Sequence, residues 1–385
     1  MKIAFDSQLF LKGNKTGIAW CADNIVKKMS KRQDTETVCD YFVKNCEEDE
    51  KNVRIYQKYG ASMNPCKKYS FFFYKLIWPF IPIPYSLFFG KDRDITQFFN
   101  FVVPPGVPGK SVTIVHDMAY KAHPETLKKK NLRWLQLTLK RSCKRADAIV
   151  TVSEFSKNEI VKFLRIKPDK ITVMPNGVDL ELFHPDYSQI DVQMVKDKYK
   201  IAGSYFLYLG TLEPRKNIER VVEAYAKLCD DNKEIEEEIP KLVLAGGKGW
   251  LYESIFEAVK KYGISSNVIF TGYVREEEIP LLMVGAISFL FPSLYEGFGM
   301  PVLEAMACGT PVLTSNTTSL PEVAGDAGIL VDPYSIEEIR DKMLLLWQNR
   351  ELRQLLSKRG IERAANYTWE NSTRILYELY EKLLA

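Results

Sequence analysis

Short apolar runs alternate with amphipathic segments along both halves of this 385-residue chain, which leaves few possible folds. Each run has five to seven residues rich in Val, Ile, Leu or Phe, as expected for strands buried on both faces. The runs lie at 2–6, 94–99, 111–116, 147–152, 170–175, 205–210, 241–247, 267–272, 287–292, 310–315 and 327–332. Strands that alternate with helices form parallel sheets covered by helices. The sequence therefore predicts an α/β protein with two doubly wound domains.

A domain boundary is predicted within residues 176–186, where turn residues and Pro185 interrupt the alternation. We assign residues 1–185 to an N-terminal domain and residues 186–365 to a C-terminal domain. Residues 366–385 have the pattern of an amphipathic helix, and we expect this helix to return to the N-terminal domain. Ligands of such sheets bind beyond the carboxyl ends of the strands, so the expected site is a cleft between the two domains.

The charge of the chain is distributed unevenly. Residues 1–185 contain 31 Lys and Arg against 19 acidic residues, a formal charge of +12, whereas the remainder carries −8. A basic domain indicates an anionic partner, and charge alone is compatible with nucleic acid or an acidic membrane surface. The run LKKKNLRWLQLTLKRSCKRA, 127–146, combines many cations with Trp134. It fits either a solvated helix face or contact with anionic lipid.

Two further segments bear on location. The apolar stretch 69–90 contains Lys75 and three prolines, which argues against a membrane-spanning helix. It favours a helix and loop packed on the first domain over contact with a bilayer. The N-terminal MKIAFDSQLF lacks the pattern of a secretion signal, so we expect a cytoplasmic protein. Seven irregularly spaced cysteines predict neither a disulfide framework nor a zinc cluster.

Residues 293–311, SLYEGFGMPVLEAMACGTP, place Glu296 and Glu304 eight positions apart around a Gly-Phe-Gly turn. A predicted strand precedes the turn and a helix with Pro301 in its first turn follows it. The helix start offers unpaired N–H groups to an anion, and a carboxylate accepts hydrogen bonds from adjacent sugar hydroxyls. Each glutamate taken alone also fits a loop charge or a residue that stabilises the helix dipole.

Two other strand ends carry polar residues. In YLGTLEPRKN, 208–217, Gly210 is followed by Arg215 and Lys216 at the start of a predicted helix. Two cations beside a helix N-terminus suit a diphosphate, although a solvated pair is the alternative. In the first half, TIVHDMAY ends a strand with His116, a candidate for polar contact with a reacting sugar or else a buried structural histidine.

The chain also contains an ordered series of longer motifs: IVHDM, VSEFSKNEI, MPNGVD, LGTLEPRKN, FTGYV, EGFGMPVLE and SLPEVAGDAGILVDP. Together they resemble the retaining nucleotide-sugar glycosyltransferases of family 4. These enzymes have the GT-B fold, in which two Rossmann-like domains face each other across a cleft. The resemblance extends from about residue 94 to the C-terminus and is weak over residues 20–93.

The resemblance implies roles for individual residues. Glu304 would hold the ribose of the donor, while Glu296 and the amides near Phe298 and Gly299 would contact the transferred sugar. Many family members have an arginine immediately after the glycine of the phosphate motif, where this chain has Thr211.

The remaining roles concern the phosphates, the base and the acceptor. Arg215, in place of that arginine, and Lys216 would bind the diphosphate, and main-chain groups at Gly272 and Tyr273 would border the base. The catalytic candidates are thus His116, Glu296, Arg215 and Lys216, and the ligand-binding candidates are Glu304, Gly272, Tyr273, Phe298, Gly299, Gly210 and, on the acceptor side, Gly17.

The implied function is transfer of a hexose with retention of anomeric configuration. GDP-mannose is the favoured donor, ahead of UDP-glucose, UDP-N-acetylglucosamine and rhamnose donors, and the donor is the substrate rather than a cofactor. The acceptor is a saccharide or a lipid-linked saccharide at the cytoplasmic face of a bacterial membrane, with contact to anionic lipid left open and no nucleic acid involved. No metal is expected, because Lys216, Arg215 and two helix N-termini would stabilise the leaving group. The acidic DRD run at 92–94 stands in a charged turn before a strand and is not expected to bind a metal.

Four other functions are compatible with parts of this pattern. A nucleotide-sugar epimerase or a sugar phosphorylase would share the fold. An NAD-dependent dehydrogenase requires a Gly-x-Gly-x-x-Gly turn after a strand, and neither GNKTG nor AGGKGW has that spacing. A non-catalytic membrane-binding protein is the last alternative, and loss of turnover when Glu296 or Lys216 is changed to Ala would argue against it.

Overall fold

The computed structural model describes residues 1–11, 16–43, 46–67, 82–235, 238–247, 249 and 252–385, with the backbone alone over 46–51. These residues divide into two compact units, a first unit of Met1–Gly177 with Trp369–Ala385 and a second unit of Val178–Thr368. The sequence assignment placed the corresponding boundaries after residues 185 and 365. Most of the apolar stretch 69–90, and the residues just before Thr16, lie outside the described part of the chain.

The first unit is built on a parallel sheet in which the described residues form seven strands, in the order β3-β2-β1-β4-β5-β6-β7. The strands are β1 (Lys2–Asp6), β2 (Glu36–Phe42), β3 (Ser62–Cys66), β4 (Ile95–Phe98), β5 (Lys110–Val115), β6 (Ala148–Thr151) and β7 (Ile171–Val173). The strand order reverses between β1 and β4, which is where doubly wound sheets bind ligands.

Six helices of the first unit precede the second unit in the described chain. They are α1 (Gly17–Ser30), α2 (Cys46–Lys58), α3 (Ser86–Phe89), α4 (Ala119–Ala122), α5 (Lys129–Arg145) and α6 (Glu154–Leu164). Local sequence explains several ends: Ser153 caps α6 by accepting from the Ser156 amide at 3.0 Å. One side of α5, including Leu139 and Cys143, packs against Val115 and Ile149 in the core.

The second unit has its own parallel sheet, in which the described residues form six strands in the order β10-β9-β8-β11-β12-β13. The strands are β8 (Tyr205–Leu209), β9 (Lys241–Ala245), β10 (Val268–Gly272), β11 (Ser288–Phe291), β12 (Val312–Ser315) and β13 (Gly328–Val331). The surrounding helices are α7 (Gln189–Lys198), α8 (Ile218–Asp231), α9 (Glu253–Lys261), α10 (Ile279–Val284), α11 (Met300–Ala307), α12 (Leu320–Ala324), α13 (Ile336–Gln348) and α14 (Arg350–Ala364).

The last helix, α15 (Trp369–Leu384), belongs to the first unit. The buried Tyr380 hydroxyl donates to Gln97 Oε1 at 2.8 Å, and Ser372 Oγ donates to the Pro175 carbonyl at 2.6 Å. An ion pair between Lys28 and Glu370 joins α15 to α1. These contacts attach α15 to the first sheet and its first helix.

The predicted α/β class and both parallel sheets are confirmed, and each predicted apolar run contains a strand. The sequence missed β2 and β3. Strand β3 reads SMNPC, with Pro65 at the edge of the sheet and no apolar run. Strand β2 contains Asp40, which is buried and held by Arg93, Tyr85 and Asn64, partners that lie far away in sequence. Within the described residues, no helix combines the length and the apolar character needed to cross a bilayer.

Candidate functional site

A cluster of charged side chains lies at the carboxyl end of the second sheet, where the strand order reverses between β8 and β11. Loop 210–217 follows β8, and loop 292–299 follows β11. Because β8 and β11 pair in parallel, their carboxyl ends meet at the same edge and the two loops become neighbours. The Leu294 amide donates to the Arg215 carbonyl at 2.9 Å, which joins the loops directly.

Glu296 lies at the centre of this cluster. Its Oε1 accepts from Lys216 Nζ at 2.6 Å and its Oε2 accepts from Arg215 Nη1 at 3.0 Å. Arg215 also donates to the Tyr295 carbonyl at 2.7 Å and, through Nη2, to Glu213 Oε1 at 2.9 Å. Glu296 is only 8% exposed, so both of its ion pairs form largely out of water.

The backbone around the two cations fixes their position. Pro214–Lys216 form a 3₁₀ turn, and Asn217 then adopts a left-handed conformation, φ 63°, which asparagine tolerates better than most residues. The Asn217 side chain donates to the Pro292 and Pro333 carbonyls at 2.9 and 2.7 Å. Lys216 Nζ lies 4.7 Å from the centre of the Phe291 ring. The Lys216 ammonium group therefore packs against the ring of a residue of β11 rather than extending into solvent.

The electrostatics of the cluster follow from burial and pairing. Burial raises the pKa of Glu296, but the opposing attraction of Arg215 and Lys216 is larger and lowers this pKa to about 2. Burial lowers the pKa of Lys216, and the attraction of Glu296 partly offsets that effect. We infer that Glu296 is ionised at neutral pH.

The Gly-Phe-Gly turn is held by the loop that follows β12. Ser319 Oγ is positioned to donate to the Glu296 and Phe298 carbonyls, at 3.0 and 2.9 Å, and Thr318 Oγ1 accepts from the Glu296 amide at 3.4 Å. Gly299 has φ 111°, and a Cβ at this position would lie 2.6 Å from Leu320 Cδ2. Only glycine fits there, and helix α11 starts immediately afterwards at Met300.

Glu304 lies in α11, about one turn after the helix start. Burial, together with repulsion from Glu276, raises the pKa of Glu304 to about 7. Glu276 begins a 3₁₀ turn shortly after β10. The two glutamates of the motif therefore differ in environment, since Glu296 is held by two cations and Glu304 is influenced by another carboxylate.

The other predicted donor-binding residues end neighbouring strands. Gly210 has φ 152° after β8, and its carbonyl would lie 2.0 Å from a Cβ at Gly246. Gly272 ends β10 with φ 69°, and its carbonyl accepts from the Gly246 amide at 2.9 Å. Tyr273 is 76% exposed. Strand ends β8, β9 and β10 thus lie side by side along the same edge as Glu296.

Two predicted site residues belong to the first unit. His116 follows β5, is 8% exposed, and has Nε2 3.2 Å from the Phe99 carbonyl, a geometry in which Nε2–H donates. Burial lowers the pKa of His116 to about 4, so its imidazole is neutral at pH 7. Gly17 begins α1 and is exposed, and a Cβ there would meet nothing within 4 Å.

Sequence reasoning missed Glu213, Thr318 and Ser319 as members of the site. Glu213 pairs with Arg215, whereas Thr318 and Ser319 hold the loop of Glu296. These residues lie in LGTLEPRKN and TTSLPEVAG, segments that follow predicted strands. Their polar character at a strand end was the sequence signal that could have identified them. Glu276 was missed as well, because nothing in the sequence indicates that it influences Glu304.

The DRD run contacts the first strand. Lys2 Nζ donates to Asp92 Oδ2 at 2.7 Å, and the Lys2 amide donates to Asp94 Oδ2 at 2.7 Å. Both carboxylates therefore bind groups of Lys2. In the part of the chain that the structure describes, no group of three or more His, Cys, Asp or Glu side chains is arranged to hold a metal ion.

Two parallel-sheet units of this topology, the second with carboxylates and cations on the loops at its carboxyl edge, have the GT-B fold. Residues 195–363 match the family described as "Glycosyl transferases group 1", and residues 16–182 match "Glycosyltransferase Family 4". The chain belongs to this family of glycosyltransferases.

Two curated relatives come from Escherichia coli. The chain is 36% identical to "O-antigen chain mannosyltransferase B" over 74% of its own length and 73% of the relative. It is 32% identical to "Serotype-specific mannosyltransferase WbdA" over 80% of its own length, but this match spans only 37% of WbdA. Among solved structures, Anabaena Alr3699/HepE in complex with UDP and glucose has a TM-score of 0.74 at 17% identity, covering 99% of this chain and 100% of that one.

Proposed function

We propose that this chain transfers a hexose from a nucleotide-sugar donor to a saccharide or lipid-linked saccharide acceptor, with mannose as the sugar and GDP-mannose as the donor. The observation that carries the proposal is the buried cluster of Glu296, Arg215 and Lys216 at the strand-order reversal of the second sheet. Both relatives described above are named as mannosyltransferases, which supports mannose.

The proposed chemistry follows from charge. Cleavage of the bond between the anomeric carbon and phosphate leaves a nucleoside diphosphate with new negative charge. Arg215 and Lys216 are fixed cations in a poorly hydrated environment, where such groups stabilise developing charge most strongly. The transfer reaction requires the charge of the leaving group to be neutralised, and these cations would do so without a metal ion.

A diphosphate would also change the partners of Glu296. Arg215 Nη1 and Lys216 Nζ now donate to this carboxylate, and a diphosphate bound to them would compete for the same donors. Glu296 would then accept hydrogen bonds from hydroxyls of the transferred sugar, next to the amides at Phe298 and Gly299. Glu304 would accept from the ribose, and Gly272 and Tyr273 would border the base.

The stereochemical proposal is retention. The acceptor hydroxyl would attack on the face from which the phosphate departs, and a phosphate oxygen of the leaving group would take the hydroxyl proton. His116, neutral because of burial, stays a prediction for polar contact with the sugar, and Gly17 for the acceptor. The anomeric configuration of the product, measured by NMR, tests this step, and an inverted product would contradict it.

The donor is tested by thermal unfolding with a panel of nucleotides. A ligand that binds only the folded chain raises its melting temperature. At a ligand concentration of one hundred times Kd, the free energy of unfolding increases by about 2.7 kcal/mol. We expect GDP to give a larger shift than UDP at equal concentration. A clear shift with UDP and none with GDP would replace GDP-mannose by a UDP-sugar, the main alternative. Loss of the GDP shift in Glu304→Ala would locate the nucleotide in the second unit.

We place the reaction in bacterial cell-surface polysaccharide synthesis, at the cytoplasmic side of the membrane. The support is the name of the relative that matches at 36% identity, an O-antigen chain mannosyltransferase. A lipid-linked acceptor is tested by comparing transfer from GDP-mannose to lipid-linked and to free saccharides. Equal transfer to both would restrict the proposal to the saccharide.

A further inference from the structure

Helix α5 of the first unit has a surface that the proposed reaction does not use. Its sequence, KKNLRWLQLTLKRSCKR, contains seven Lys and Arg and no acidic residue. The buried positions are Thr138, Leu139, Ser142 and Cys143, which lie on one side. Arg133, Lys140, Arg141 and Lys144 are exposed on the other. The helix therefore presents a cationic face to solvent.

The cations of this face are not neutralised within the described structure. No ion pair joins Arg133, Lys140 or Arg141 to an acidic side chain among the residues that the structure describes. Elsewhere in the same unit cations are paired, as Lys27 is with Asp23 and Arg93 with Asp40. Like charges three or four positions apart on one helix repel each other, and an anionic partner would relieve this repulsion.

An apolar side chain lies within the same face. Leu137 is 57% exposed, four positions after Arg133 and four before Arg141, so the three form one stripe along α5. Trp134, three positions before Leu137, is half-buried. A nucleic acid duplex would use the cations and gain little from Leu137. An anionic bilayer would use both, because Leu137 can enter the acyl boundary while Lys and Arg remain at the headgroups.

We propose that the exposed face of α5, formed by Arg133, Leu137, Lys140, Arg141 and Lys144, docks the protein on an anionic lipid surface. The proposal adds a lipid partner to the proposed function, and it is measured without sugar transfer, so either can fail alone. The net charge of +12 over residues 1–185 provides a long-range attraction in the same direction.

The test is binding to vesicles by flotation, with phosphatidylcholine vesicles compared with vesicles in which about a third of the lipid is phosphatidylglycerol. The full chain is expected to bind the anionic vesicles only, and less strongly as salt is added. Each cation near such a surface contributes about fivefold in affinity, so Arg133→Gln/Lys140→Gln/Arg141→Gln should bind about 100-fold more weakly. Glutamine is a good helix former, and these positions are exposed, so the triple variant should fold.

A matched control removes the same charge from the second unit. Lys260, Lys261 and Lys358 are also exposed, and Lys260→Gln/Lys261→Gln/Lys358→Gln should retain vesicle binding within about twofold. For the apolar contribution, Leu137→Gln should weaken binding about tenfold, whereas Leu355→Gln, at a leucine that is 46% exposed in the second unit, should not.

The outcomes separate the possibilities. Equal loss in the two triple variants, or no binding of the unaltered chain, would overturn the proposal. Binding to a mixed-sequence RNA or DNA duplex through the same three cations, without vesicle binding, would replace the lipid by nucleic acid. The GDP-induced thermal shift is measured on every variant. A chain that binds vesicles but not GDP retains this inference and loses the proposed donor, and the triple variant is expected to show the reverse.

Discussion

The two glutamates around the Gly-Phe-Gly turn have the same chemistry and nearly the same sequence position, yet their environments move their pKa values in opposite directions. Glu296, in the loop after β11, has its pKa lowered to about 2 because two cations outweigh its burial. Glu304, within α11, has its pKa raised to about 7 because burial is reinforced by Glu276. Burial raises the pKa of both carboxylates, so the difference between them comes from their charged neighbours.

This difference suits two tasks. A carboxylate with two cations is ionised at any physiological pH, and it holds Arg215 and Lys216 in place. A carboxylate near its midpoint at neutral pH can lose its proton when ribose hydroxyls supply hydrogen bonds. If the proposed function is right, Glu296 belongs to the reacting end of the donor and Glu304 to its nucleoside end, and substitutions at the two positions should have different signatures.

The largest effect is expected from Lys216→Met. This change removes one of the two cationic partners of Glu296 and, in the proposed reaction, a cation that binds the leaving diphosphate. Turnover of GDP-mannose should fall about 1,000-fold, comparable with the loss of one preorganised donor from an active site. Steady-state kinetics measure the loss. Lys227→Met, at an exposed lysine of α8 paired with Glu337, is the matched control and should be close to wild type. Equal activity of the two variants would remove Lys216 from the reaction.

Glu296→Gln should separate turnover from nucleotide binding. The glutamine can still accept a hydrogen bond but no longer competes as an anion for Arg215 and Lys216. We expect kcat to fall about 100-fold while GDP binds several-fold more tightly, since the diphosphate meets less repulsion. Calorimetric titration with GDP measures the second effect. Weaker GDP binding in this variant would mean that Glu296 contacts the nucleotide favourably, contrary to the comparison.

Glu304→Gln should have the opposite signature. GDP affinity should fall about tenfold, because a neutral amide replaces a carboxylate that, in the proposed complex, accepts from two ribose hydroxyls. In the proposed complex of the unaltered chain, the ribose would favour the ionised form of Glu304, so GDP affinity should rise with pH up to about 7 and then level off. The diphosphate titrates in both proteins, so the difference between their pH profiles isolates Glu304. Superimposable profiles would exclude it from the ribose site.

The separation of these two environments could be predicted only in part from the sequence. Strand–loop–helix patterning placed Glu296, Arg215 and Lys216 at the same edge of one sheet, because parallel strands end together. That Glu296 itself binds both cations depends on a 3₁₀ turn and on the left-handed Asn217, which pattern alone does not specify. The influence of Glu276 on Glu304 arises between segments almost thirty residues apart and has no local signal.

The same limit explains the first unit. The buried run of β1 was recognised, but β3 has no apolar run to recognise. Strand β2 was missed because its Asp40 is tolerated in a buried strand only with Arg93, Tyr85 and Asn64 around it. Burial, with a smaller opposing effect from Arg93, raises the pKa of Asp40 to about 6. One cation and two neutral donors leave that carboxylate easier to protonate than Glu296, which has two cations.

The smallest effect concerns stability, and it tests the two glutamates without any ligand. The folded-state pKa of Glu304 is raised above the ordinary 4.5, so ionisation of this carboxyl destabilises the folded chain. The destabilisation begins as pH rises above 4.5 and reaches its full size above about pH 7. Glu304→Gln should therefore increase the free energy of unfolding by about 1–2 kcal/mol at pH 8 and change it little at pH 4.5.

The pKa of Glu296 is lowered, so its stabilisation is present above pH 4.5 and is lost only as pH falls towards 2. Glu296→Gln should accordingly destabilise the chain at both pH 8 and pH 4.5, because Arg215 and Lys216 lose an ionised partner. Urea unfolding at the two pH values measures all four differences. Equal stabilisation of Glu304→Gln at the two pH values would show that Glu304 of the unaltered chain does not ionise against burial and the charge of Glu276. The contrast between the two positions would then rest on Glu296 alone.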